Sequence, residues 1–509
     1  MRKYCFLFAI TVSLIAPGRI SLGGTVGNGE SYTRETRRTT ETTTFVGGAR
    51  RFTLEQAILT AIERNPDILR AKQELERSKG IMLEIGAQAL PQIAPRADLS
   101  WTDPKLQGEG GTLTNDGTGG VVSSRGGGTD TSYAIRITGT QLVFNYSTFR
   151  SIRGTFFQRD SAYFSFRNVV DQTLANVKTQ FYQVILNRAL ITVQEEAVRL
   201  LQSQLQDQKN RFEAGTVPRF NVLQAEVQLS NQIPNLISAR NAYRISQLQL
   251  AKTLGLDFDP SRGENPPLEV LGEMPYNPRN VSLVAAIEMG KERRPFLKQA
   301  RANVLNQIEQ VHVALGGFLP NFTSSGGYDI FSSPFSTSWN DISNGWVFGL
   351  TGNWAVWDSG LTYGRLKQQR ALLSEAKITY DDDVRQVELE VQQAYSNLLQ
   401  NRELIQSQEK SVEQAEEAVR LAKARLDAGA GTQLDVLNAQ VQLTTAQSTK
   451  LQALFGYNAT LAEFDRATGA QSVYTETFDH IAPRATRSHR YDTDSGTDAV
   501  GKRKKGSTR

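Results

Sequence analysis

The chain has 509 residues, 57 of them Lys or Arg and 52 Asp or Glu, and the resulting charge of +5 is too small for this length to demand a nucleic-acid partner. One cysteine and three histidines leave few parts for a catalytic triad, a thiolate metal site or a disulfide framework. The length allows more than one ordinary domain.

In chain order, the first predicted element is an export signal at 1–23. Arg2 and Lys3 precede an apolar run at 4–16, and small residues follow. The run is too short to span a membrane. Cleavage after Gly18 and cleavage after Gly23 both fit. Cys5 lies inside the apolar run, so the mature chain is expected to carry no cysteine. Residues 24–51, rich in Thr, Gly and Arg, read as a flexible leader. Residues 470–509 read as a disordered basic tail, its charge densest at Lys502, Arg503, Lys504 and Lys505.

The region between is written twice, as repeats at 52–258 and 280–469. RFEAGTVPRFNVLQAEVQL at 211–229 returns as RLDAGAGTQLDVLNAQVQL at 425–443, with nine of nineteen positions identical. Leu54, Ala57, Ile58 and Pro66 match Leu283, Ala286, Ile287 and Pro295 at an offset of 229, which falls to 214 at the quoted turns. The first repeat therefore carries 15 extra residues, placed in the glycine-rich segment 107–128. That segment completes no phosphate-binding glycine motif and reads as a longer loop.

Each repeat opens with a short helix, at 54–64 and 283–293, followed by a proline and a second helix that a further proline stops. Two stretches with a period of two come next. At 92–101, Ile93, Ala97, Leu99 and Trp101 share one face and Arg96, Asp98 and Ser100 the other. At 346–357, Trp346, Phe348, Leu350, Trp354 and Val356 alternate with small or polar residues. Residues 132–144 and 321–332 are their weaker partners, giving four strands as two hairpins.

Long helices follow, at 153–213 and from about 360 to 427. In the second, Val384, Val387, Val391, Ala394, Leu398, Ile405, Val412, Ala415, Val419, Ala422 and Leu426 step by threes and fours, with Asn401 and Gln408 filling the gaps. This is a heptad seam on a rod of roughly 100 Å. Gly215 and Gly429 stand just past the helix ends, where positive φ is common. The chain then returns in shorter helices at 221–254 and 435–468, with Pro234 a candidate kink in the first.

Two hairpins with an apolar, aromatic face have open edges, which lipid does not tolerate. If they enter a membrane, several chains must share one barrel. Two chains give eight strands, too narrow for a useful channel; three give twelve.

These features resemble the TolC-like outer-membrane efflux proteins over about 52–469. The resemblance rests on the tandem repeats, the LEQAI…NP opening at 54–66, NWAVWDSG at 353–360, and the turns AGTVPRFNVL and AGAGTQLDVL. It implies a mainly α fold with a β-barrel contribution: long antiparallel coiled-coil helices plus four membrane strands per chain. It further implies a homotrimer forming a twelve-stranded outer-membrane barrel and a periplasmic helical tunnel. The implied role is the exit duct of a tripartite efflux pump or type I secretion system. The implied partners are a periplasmic adaptor (membrane fusion) protein, an inner-membrane transporter and outer-membrane lipid, with no cofactor and no nucleic acid.

By that resemblance, Arg211, Gly215, Thr216, Val217, Arg425, Gly429, Ala430 and Gly431 are adaptor-contact positions at the periplasmic tip. Six similar turns in a trimer give a threefold assembly a pseudo-sixfold end. Trp101, Trp346, Phe348 and Trp354 are the membrane-facing aromatics. Asp435 and Asn438 hold the place of the pore constriction. Asp435 keeps the family's carboxylate, while Asn438 departs from a pattern that can carry a second one. A ring of Asp435 side chains favours cations; Asp435 equally suits a helix N-cap. Asn221 and Gln224 are the uncharged counterparts in the first repeat.

An enzyme is disfavoured. Two of the three histidines, His480 and His489, lie in the tail and the third is His312; no H-E-x-x-H or G-x-S-x-G occurs. Asp381, Asp382 and Asp383 do not share a helix face, and no metal site is expected. The rival reading is a secreted periplasmic coiled-coil structural or adaptor protein without a pore, which the lipid-dressed hairpins argue against.

Overall fold

The computed structural model describes residues 45–46, 49–101, 112–115, 121–124, 131–257, 268–332 and 342–470. The export signal, most of the leader and the basic tail lie outside the described residues.

Two β-strands, β1 (Phe45–Val46) and β2 (Ala49–Phe52), precede the first helix. The expected leader therefore ends early: Arg50, Arg51 and Phe52 pair in parallel with β7 (Leu268–Val270) of the inter-repeat connection. Two to four residues per strand are too few for a readable alternation, so sequence pattern missed this sheet. Arg188 donates to the carbonyls of Val270 and Gly272 at 2.8 and 2.7 Å, fixing the connection to the long helix it crosses.

Helix α1 (Leu54–Arg64) begins with a capping box between Thr53 and Gln56. Asn65 ends it and caps α2 (Pro66–Ala87), accepting from the Asp67 and Ile68 amides at 2.8 and 3.2 Å, with Pro66 in the first turn. The second repeat copies the plan in α5 (Leu283–Arg293) and α6 (Pro295–Leu315), which runs into a short 3-10 turn, Gly316–Phe318. At the position of Asn65 stands Arg294, which makes no cap hydrogen bond and reaches Glu390 instead.

The four expected strands form one antiparallel sheet in the order β3 (Gln92–Trp101), β6 (Thr131–Phe144), β8 (Asn321–Ser332), β9 (Ser343–Asn353). Each repeat supplies one hairpin, and β6 pairs with β8 across the repeats. The last strand ends at Asn353, not at 357. Its partner begins at Asn321, directly after Pro320, which has no N–H to extend the ladder. The alternation of Trp354 and Val356 continues past the hydrogen bonds that would make it a strand. The glycine-rich segment is also more than a loop: β4 (Thr112–Asn115) and β5 (Val121–Ser124) pair within it.

Helix α3 (Tyr146–Glu213) starts seven residues before the expected position, capped by Asn145, whose side chain accepts from Thr148 N at 3.2 Å. Its 68 residues span about 100 Å. Helix α4 (Arg219–Thr253) returns along it and remains one helix through Pro234. Helices α7 (Leu361–Asp427) and α8 (Gln433–Ala467) repeat the pair. Along α7 the heptad positions Val387, Val391, Ala394, Leu398, Ile405 and Val419 are buried and the rest of the seam half-buried. Among the described residues the core falls into three clusters, one in the first repeat and two in the second, the smaller of these around Leu398, Ile405, Ala453 and Tyr457. The first joins α1, α3, α4 and β7 around Phe166, Leu174, Leu250 and Leu268; the second joins α5, α6, α7 and α8 around Val387, Val391 and Phe464.

Candidate functional site

Three surfaces carry the residues singled out above. The first is the pair of helix–helix turns. Gly215 and Gly429 take φ of 71° and 74°, a region closed to most side chains. Around each, the same two hydrogen bonds close the long helix. The Gly215 and Thr216 amides donate to Phe212 and Arg211 carbonyls, both at 2.9 Å; the Gly429 and Ala430 amides donate to Leu426 and Arg425, at 3.0 and 2.8 Å. Arg211 and Arg425 thus contribute their carbonyls to the turn, leaving their side chains exposed. Gly215, Thr216, Gly429 and Ala430 are exposed; Val217 and Gly431 are half-buried. A Cβ on Gly431 would stand 3.1 Å from Arg425 Cβ and Leu426 N, so this glycine serves close approach.

The second is the start of α8. Asp435 is not its N-cap. Thr432 is, and Asp435 is the third helical residue of a reciprocal capping box. The Asp435 carboxylate accepts from Thr432 N at 2.9 Å and Thr432 Oγ1 at 2.8 Å. Those hydrogen bonds, the backbone one foremost, hold its pKa below the ordinary aspartate value. Its carboxylate remains exposed, one turn from exposed Asn438 on the same face, flanked by exposed Leu434 and Val441. In the first repeat Pro218 stands at the cap and offers neither an N–H nor a side-chain acceptor, so Asn221 has no box to join.

The third is the sheet. The register sorts its side chains into two faces. Trp101, Leu99, Ile135, Ile137, Tyr328, Trp346, Phe348 and Leu350 lie on one. Trp346 and Phe348 stack at 6.0 Å, and Tyr328 meets Trp346 edge-on at 5.2 Å. Trp346 and Phe348 are more than 70% exposed, Trp101 67%. Trp354 does not belong to this strand face: it follows the strand, and its indole Nε1 donates to the Phe318 carbonyl at 3.1 Å, tying the sheet to the end of α6. The other face bears mostly Ser, Thr, Ala and Gly, with Arg96, Asp98, Arg136 and Asp329.

A buried ionic cluster had no sequence signature beyond its position. Asp171 lies on α3 beside the stripe Phe166, Val170, Leu174, Val177 and is 6% exposed. Burial pushes its carboxyl up to about 6 despite Arg167, Arg466, Arg294 and Lys178 nearby. Arg294 and Arg466 both reach Glu390, at 2.5 and 3.0 Å, and Lys178 and Arg279 share Asp465 at 3.7 and 3.0 Å. The cluster links α3, α6, α7 and α8 across the two repeats. Among the described residues no helix is long and apolar enough to cross a membrane, and no histidine, cysteine or acidic cluster is arranged to hold a metal.

Residues 57–256 and 286–470 match the family described as outer membrane efflux protein. Nodulation protein T of Rhizobium leguminosarum bv. viciae is 23% identical over 414 residues, 79% of each chain. The outer membrane protein TolC of Escherichia coli K12 is 22% identical over 408 residues, 77% of each chain. Among solved structures, the Campylobacter jejuni CmeC outer membrane channel superposes with a TM-score of 0.69 at 15% identity, covering 82% of this chain and 85% of that one.

Proposed function

Since the chain belongs to the outer membrane efflux protein family, we infer that it is an outer-membrane exit duct, serving an efflux pump or a type I secretion system. It sits in the outer membrane, extends into the periplasm and conducts cargo passively. The family is one of transport ducts rather than enzymes.

The observation that carries the finer reading is the sheet. It has one apolar, aromatic face and one polar face, and its edges β3 and β9 are unpaired among the described residues. In lipid an open edge leaves backbone groups without partners, at several kcal/mol each. Three chains joined edge to edge make a closed barrel of twelve strands with the aromatics outward and the polar face lining the lumen. The two repeats, 52–258 and 280–469, then give each chain two helical hairpins in a periplasmic tunnel. Their turns, with Arg211, Gly215, Thr216 and Val217 in one and Arg425, Gly429, Ala430 and Gly431 in the other, form six similar teeth. A periplasmic adaptor engages those teeth, and an inner-membrane transporter supplies the energy.

Asp435 forms the constriction, three carboxylates around the axis with Asn438 one turn behind. The capping box supports this role and does not compete with it. Thr432 donates two hydrogen bonds to one carboxylate oxygen, Oδ2, and the group stays ionised and exposed. The test is single-channel conductance of the purified protein in a planar bilayer, with Asp435→Asn alongside. The expected result is a small, cation-selective conductance whose selectivity falls in the variant. Unchanged selectivity would reduce Asp435 to a helix-start residue and leave the duct standing.

A further inference from the structure

The polar face of the sheet carries a charged row that the duct reading does not use. Arg96 on β3, Arg136 on β6 and Asp329 on β8 stand side by side, and the row ends at Gly345 on β9. Asp98, two residues along β3, accepts from Arg96 Nε at 3.0 Å. Arg136 Nε faces Asp329 Oδ2 at 3.8 Å, an ion pair without a hydrogen bond. The row on one side is Ala94, Thr138, Gly327 and Val347; the row beyond Asp98 holds Ala134 and Ser343 with Phe331. The charged side chains therefore outreach most of their surroundings on this face.

Two arginines directly opposite each other repel, and a face needing only polarity has no use for them. The two acids offset that repulsion unequally. The side chains of Arg136 and Asp329 are about one-third exposed, whereas that of Arg96 is 75% exposed. Only its Nε is held; its two terminal nitrogens donate no hydrogen bond among the described residues. A guanidinium fixed at Nε presents its remaining donors as a fork that matches carboxylate and phosphate oxygens.

We propose that Arg96 is an anion-docking residue on the lumen wall, and that three copies form a mid-barrel ring taking carboxylate or phosphate groups of passing solutes. This rests on the barrel reading above, in which the polar face lines the lumen. Arg96 lies four residues into β3, about 14 Å along the strand from its periplasmic end. The wall then presents an exposed guanidinium fork at Arg96 and carboxylates at Asp435.

The test uses a thiol at Ala94→Cys, on the same face and strand, in a mature chain expected to hold no other cysteine. The protein in outer membranes is treated with a negatively charged sulfonate methanethiosulfonate and with a positively charged trimethylammonium one. The expected ratio of modification rates favours the anionic reagent, falls several-fold on adding Arg96→Ser, and is retained with Arg96→Lys. If Arg96→Ser does not assemble, Arg96→Gln keeps a longer polar side chain without the charge and is expected to lower the ratio equally. A ratio indifferent to both neutral variants would overturn the proposal while leaving the duct intact. A thiol at Ile93→Cys, on the opposite face, separates the two failures. If Ile93→Cys reacts with these water-soluble reagents and Ala94→Cys is inert, the faces are assigned the wrong way round, and the barrel reading falls with the ring.

Discussion

At the scale of single residues, burial and hydrogen bonding divide the acidic groups into two kinds. Asp435 accepts two hydrogen bonds from Thr432 and titrates below the usual aspartate range. A carboxyl whose folded pKa is depressed favours the folded state above its unfolded pKa and loses that contribution as pH falls through the folded value. Charge at Asp435 accordingly persists through mildly acidic conditions. Asp171 is the opposite case. Its pKa is raised to about 6, so the unfolded chain ionises before the folded one. The contribution of Asp171 to stability is greatest below about pH 4, declines as pH rises to about 6 and is level above that, by up to about 3 kcal/mol. Asp171→Asn removes this dependence. The difference in thermal midpoint between variant and parent is expected to grow in the variant's favour from pH 4 to pH 6.5; a constant difference would show that Asp171 is not the buried acid inferred. Asp435 was legible in the sequence because the turn repeat points to it, although Thr432 rather than Asp435 is the cap. Asp171 was not, because burial of a lone acid depends on which helices close over it, and no spacing records that.

At the scale of elements, local rules wrote most of the chain. Prolines at 66, 91, 295 and 320 and glycines at 215 and 429 punctuate it. The helices α1 and α5 fall where the repeat places them. The errors occur where the deciding partner is distant. Residues 354–357 alternate like a strand, yet β8 has no residue left to pair with them. Strand β7 pairs with β2, more than 200 residues earlier in the chain. The heptad seam is the most exposed of these claims to a simple test. Ile405 is fully buried in α7 against the cluster of Leu398, Ala453 and Tyr457, so Ile405→Ala is expected to destabilise by about 2–5 kcal/mol. Leu421→Ala, at a half-exposed position on the same helix, is expected to change little. Equal shifts in thermal midpoint for the two would mean that the seam is not the packing surface of α7.

At the scale of the whole molecule, duplication gives each chain two copies of each building unit. One hairpin per repeat gives a four-stranded sheet, and one long helical pair per repeat gives two turns. Neither is complete alone. The sheet leaves two edges unpaired among the described residues, and α4 keeps Phe220, Leu223, Val227 and Ile237 exposed along its length. Both deficits suit further copies; in the proposed barrel, three chains supply the twelve strands that enclose a channel and the six turns at its tip. Native mass spectrometry of the protein extracted from outer membranes in mild detergent measures that number directly. The account predicts three chains, which dissociate only on heating. One or two chains per particle, or a chain recovered soluble from the periplasm, would leave no closed barrel and contradict it.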